Sequence, residues 1–161
     1  MKNLALAALL AICSMASASV PARAGLGGDV SSIDSDAAAM RGAMSQSSAP
    51  AETAQSSSSY SVHSFVSGDG VTVREYSASS GPVFGVAWQG RRPPDLSVLL
   101  GSYYSEYAAA SAPRRHTNLH HAVIKGPNSV VVMGGHMGHL IGRAYVPNLA
   151  PAGVDAKAVV K

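Results

Sequence analysis

Cysteine is almost missing from this chain: Cys13 is the only one among 161 residues, and it lies in an apolar run near the N-terminus. With no second cysteine there is no internal disulfide and no thiolate metal cage, so the fold rests on a hydrophobic core. Carboxylates are scarce too. Asp and Glu number nine in all, and beyond residue 60 only Asp69, Glu75, Asp95, Glu106 and Asp155 remain. A paired-carboxylate hydrolase has little to draw on there. The apolar run Leu4–Ile12 is far shorter than the roughly 20 residues that a membrane-spanning helix needs. The patterns G-x-S-x-G and H-E-x-x-H do not occur, and Gly68-Asp69-Gly70 lacks the Gly-Lys-Ser/Thr continuation of a phosphate loop. Asp34-Ser35-Asp36 lacks the glycine and distal Glu of a calcium loop. The residues therefore point away from an enzyme and supply no catalytic set.

What is present begins with an export signature. Lys2 is a short positive start, Leu4–Ile12 an apolar centre, and Ala22-Arg23-Ala24 a small-residue site for a signal peptidase, with cleavage before Gly25. A cut after Ala16-Ser17-Ala18 is the competing position. Ile12 precedes Cys13 where lipidation needs a small residue, so Cys13 is not a lipoprotein cysteine. The expectation is a signal peptide over 1–24, a periplasmic or secreted protein, and no transmembrane segment after cleavage. The formal charge is +3; losing Lys2 and Arg23 leaves ten basic residues against nine acidic, or +1. That is no footprint for nucleic acid, which requires clustered positive excess.

Residues 25–59 are about half Ser and Ala without an aromatic side chain, a composition expected to form a disordered leader. From Tyr60 the texture changes. Tyr60–Val66 and Val71–Tyr76 are rich in β-branched and aromatic residues around the turn signal Asp69-Gly70, and Val83–Trp88 is almost unbroken apolar. Leu96, Leu99, Leu100, Tyr103 and Tyr107 recur at helical spacing behind a capping Asp95, with Pro113 as the stop. Gly101 inside that helix implies a close approach, expected to be to the sheet. Runs at His121–Lys125, Ser129–Met133 and His139–Val146 follow, and residues 149–161 read as a loose tail. The order βββ-α-βββ predicts an α+β domain over 60–148: an antiparallel sheet of about six short strands with one packed helix.

Val73-Arg74-Glu75-Tyr76, Val83-Phe84 through Trp88-Gln89-Gly90, Pro94-Asp95-Leu96 and Gly142-Arg143-Ala144-Tyr145-Val146-Pro147 stand in an order that resembles the domain-of-unknown-function 2844 family of small exported bacterial proteins. Leu26-Gly27-Gly28 and Pro151-Ala152-Gly153-Val154 fit the same pattern. The resemblance implies export and supports the domain limits, and it implies no activity. The His-rich stretch from His116 to His139 is not part of it.

Two groups of residues are candidates for function. His116, His120, His121, His136 and His139 have metal-binding side chains, yet no cysteine and few carboxylates accompany them, and in a continuous strand His136 and His139 would face opposite ways. They read as solvated loop residues, and no cofactor is expected; a His-using metal-binding exported protein is the alternative. Arg91-Arg92 and Arg114-Arg115 likewise read as solvated pairs. The second group is polar: if Val73 faces the helix, so does Glu75, which would then need a partner. Arg143 is the nearest suited side chain, either as a structural ion pair that fixes strand register or as part of a polar site for an envelope ligand. Arg74, Gln89 and Trp88 complete this cluster. The function expected is a non-catalytic binding or accessory domain at the cell envelope, its partner an envelope component such as a protein. A hydrolase of unrecognised type is the third possibility.

Overall fold

The computed structural model describes residues 25–40, 43–45, 59–79, 81–112 and 121–161. Antiparallel strands β2 (Tyr60–Val66), β3 (Thr72–Ala78) and β4 (Val83–Gly90) form one meander, and β5 (Ala122–Lys125), β6 (Val130–His136) and β7 (His139–Tyr145) form a second. The two join edge to edge through β4 and β7, and the three-residue strand β1 (Ala43–Ser45) extends the open sheet to the order β1-β2-β3-β4-β7-β6-β5. No helix among the described residues is long and apolar enough to cross a membrane.

Between the meanders the expected single helix is two. Asp95 caps α2 (Leu96–Leu99), its Oδ1 accepting from the Ser97 N–H at 2.9 Å. A 3₁₀ turn at Gly101–Tyr103 then leads into α3 (Tyr104–Ser111). The break lies at Gly101, which takes φ +48, in the left-handed region that a side chain disfavours. Its close neighbours are the backbones of Gly25 and Leu26, not the sheet.

That contact corrects the reading of 25–59 as a disordered leader. Gly25–Met40 is ordered and belongs to the domain; residues 46–58 lie outside the described residues. Leu26, Ile33 and Ala37, the last two on α1 (Ile33–Ala39), are buried in the main core with Phe65, Val73, Val86, Trp88, Leu99, Leu100, Ile124, Val131 and Ala144. Backbone bonds from Leu26 N–H to Leu99 O and from Gly27 N–H to Val83 O, both 2.8 Å, tie the segment down. The small residues that suggest disorder are what permit this approach: a Cβ on Gly25 would overlap the Val98 carbonyl oxygen. Residues 1–24, expected to be a signal peptide, lie outside the described residues.

The other end is likewise not loose. Asp155 caps α4 (Ala156–Val159) by accepting from the Lys157 N–H, and Ala156 and Val160 are buried with Tyr76, Phe84, Ala87 and Tyr145 on the second face of the sheet. Gly85 makes room, since a Cβ there would collide with Val160. Phe84 reaches this face because the β3–β4 register shifts: Tyr76 pairs with Gly85 but Ser77 with Val83, leaving Phe84 as an extra residue.

Candidate functional site

Strand alternation gives the sheet two unlike faces. Val73 and Glu75 on β3 share cross-strand rows with Trp88 and Val86 on β4, and these rows continue to Gly142 and Ala144 on β7. This is the helix side. Arg74 pairs with Ala87, Ala87 with Arg143, and Arg143 with Val132, so these four form one row on the opposite side. Thr72, Gln89, Ile141 and Gly134 form the next row.

The two rows floor a cleft of about 540 Å³. Its depth comes from Ala87 and Gly134, the small members, between longer neighbours. Arg74 and Arg143 stand two strands apart, about 10 Å in the hydrogen-bonding direction, and straddle Ala87. Lys161 closes one rim and His121 the other. Among the described residues the lining holds three cationic side chains, Arg74, Arg143 and Lys161, and no Asp or Glu side chain. Ile141, nearly half exposed, supplies apolar floor together with Val132.

The C-terminal segment fixes both arginines. Arg143 Nη1 donates to the carbonyls of Lys157 (3.2 Å) and Val160 (2.9 Å), which would otherwise be open acceptors at the end of α4. Arg74 Nη1 donates to the Lys161 main-chain oxygen at 3.1 Å, and the Tyr76 hydroxyl donates to the same oxygen at 2.9 Å. A guanidinium has five N–H donors. Each arginine is thus held in place through Nη1 while lining the cleft.

Trp88, Arg74, Gln89 and Arg143 all border the cleft, but Glu75 does not. Glu75 is fully buried on the helix side, where His63 and Val86 are its cross-strand neighbours. The expected Glu75–Arg143 pair is therefore corrected: β4 lies between β3 and β7, and the register places Arg143 in the row of Arg74, one residue out of phase with Glu75. The Trp88 indole belongs to the helix-side core, over Gly142, where any Cβ would overlap the ring. On that side a second cavity, of about 500 Å³, is lined by Trp88, Leu96, Tyr104, Tyr107, Met133 and Leu140 among others. Desolvation pushes the half-buried Tyr107 hydroxyl above its ordinary pKa.

The histidines separate. His116 and His120 lie outside the described residues, His121 is exposed at the cleft rim, and His136 and His139 face each other as a registered pair. The turn Met137-Gly138 brings those two to the same face, where a continuous strand would have parted them. Sequence reasoning missed Thr72, Val132 and Ile141 as cleft residues. Alternation alone assigns them a face, but their meeting depends on the β4–β7 pairing, which no local signal encodes.

The model of a family described as a protein of unknown function, DUF2844, matches residues 22–159. No curated protein and no solved structure matches the chain.

Proposed function

The chain belongs to the DUF2844 family, and from the geometry of its sheet we propose that it is an exported, non-catalytic binding domain whose cleft takes a small anion with an apolar body. The observation that carries this reading is the lining: Arg74, Arg143 and Lys161 over Ala87, Val132 and Ile141, with no Asp or Glu side chain among the described lining residues. Cationic groups held above an apolar floor favour a ligand whose charged head meets the guanidiniums while its body covers the aliphatic side chains. Guanidinium is suited to phosphate and carboxylate because its fork matches two oxygens at once. Gln89 and Thr72 add neutral hydrogen-bonding groups at the far row. With no Asp or Glu side chain among the described lining residues, acid–base chemistry by paired acidic side chains has no seat there. Export rests on Lys2, Leu4–Ile12 and Ala22-Arg23-Ala24, and it places the ligand or its bearer at the cell envelope.

Calorimetric titration with octyl phosphate and with the neutral octyl glucoside tests the reading. Octyl phosphate should bind at least tenfold more tightly, its affinity should fall as salt rises, and Arg74→Gln and Lys161→Gln should each weaken it severalfold. Equal affinity for the two amphiphiles, or no effect of either substitution, would refute it.

A further inference from the structure

The tip of the β6–β7 hairpin carries chemistry that the cleft does not use. His136 and His139 are the last registered pair of the ladder, joined by Met137-Gly138 with Gly138 at φ 86. Their ring centroids are 5.9 Å apart and the planes are inclined by 32°. Two imidazoles that share one ion at roughly 2 Å from each nitrogen have ring centres about 5–6 Å apart, so the pair is spaced for a common ion. His136 Nδ1 lies 3.0 Å from the Met137 carbonyl oxygen. A carbonyl only accepts, so in the neutral ring Nδ1 carries the proton and Nε2 keeps the lone pair that a metal needs. A backbone acceptor behind a ligating imidazole is the usual way in which such a ring is oriented.

Between the two histidines stands Met137, 90 % exposed and part of neither hydrophobic cluster. An apolar side chain set into solvent at the tip of a turn contributes nothing to the core. Among the described residues no three His, Cys, Asp or Glu side chains gather, so a site for an ion that requires three such ligands is not built there. Two imidazoles and a thioether form a soft set of low coordination number, which selects Cu(I) over zinc, magnesium or calcium. We propose that His136, Met137 and His139 form a Cu(I)-binding site at the tip of this hairpin. Its exposure suits an ion that is exchanged rather than one that holds the fold together.

The chain, purified without a histidine tag, is titrated anaerobically with Cu(I) against the chelator bicinchoninate. One Cu(I) per chain is expected, with at least a tenfold loss of affinity in His139→Ala and in Met137→Leu, and a copper–sulfur contribution to the X-ray absorption spectrum that Met137→Leu removes. His121→Ala should leave the affinity unchanged. All three side chains are exposed, so unaltered thermal melts should accompany the losses. Undiminished Cu(I) affinity in a His136→Ala/His139→Ala double variant, or a bound copper without a sulfur neighbour, would overturn the proposal. So would a loss in His121→Ala as large as that in His139→Ala, because it would move the ion to the cleft.

Discussion

The two faces of the sheet share the same seven strands and differ in almost everything else. On the helix side Phe65, Val73, Val86, Trp88 and Val131 are buried beneath α1, α2 and the Gly25–Gly28 segment. On the other side the cover is partial. Val160 and Ala156 close over Tyr76, Gly85 and Tyr145, and the next two rows, with Arg74, Arg143 and Ile141, open into the cleft. A strand delivers residues to both faces in strict alternation, so the same β3 supplies Val73 to the core and Arg74 to the cleft. Stability and the proposed binding thereby fall to alternate positions, so that each should be alterable with little cost to the other.

The largest expected effect lies on the covered face. Phe65→Ala removes a fully buried ring and should cost about 3–5 kcal/mol, whereas Ile141→Ala should stay within about 0.5 kcal/mol. Urea unfolding of both variants checks the contrast, and comparable losses would erase the distinction between the faces. A smaller effect is expected where the faces touch. Gly142→Ala would drive a methyl group into the Trp88 indole, an overpacking cost of about 1–3 kcal/mol. Trp88 is the only tryptophan, so its fluorescence should shift in that variant and report the displaced ring directly.

The smallest effect concerns pH. Glu106 on α3 accepts from the Asn128 side chain at 2.8 Å and from Ser129 Oγ at 3.1 Å, and these bonds, the Asn128 one foremost, hold its carboxyl below the ordinary value of 4.5. A carboxyl with a folded pKa below its unfolded one stabilises fully above the unfolded value, and that contribution is lost as pH falls through the folded value. Glu106→Gln should therefore lower stability slightly at neutral pH and match the parent at acid pH, flattening the acid limb of the stability profile. The effect is small because solvent reaches the carboxylate.

Much of this was legible beforehand, for local reasons. The β-branched runs, the Asp69-Gly70 turn and the Asp95 cap are signals that short stretches of chain carry by themselves, and six of the strands follow from them. What was illegible depends on distant partners. Gly25–Met40 looks like a disordered leader because it has few large side chains, yet three anchors, Leu26, Ile33 and Ala37, are enough when Gly25 and Gly101 let two backbones meet. The tail at 149–161 looks loose because its order comes from Arg74 on β3 and Arg143 on β7, which are distant along the chain and stand on one row in space. The misplaced Glu75–Arg143 pair has the same origin: parity within a strand is readable, but the phase between two strands is set by the strand between them.

The central claim is that the open face, and not the helix side, is where this protein meets its ligand. An ¹⁵N-labelled sample titrated with octyl phosphate tests it residue by residue. The account predicts amide shifts confined to Thr72–Arg74, Ala87–Gln89, Val132–Gly134 and Ile141–Arg143, with the Leu96–Tyr107 amides unmoved. Shifts concentrated at Leu96, Tyr104 and Tyr107 would place the ligand in the cavity beneath the helices and contradict it.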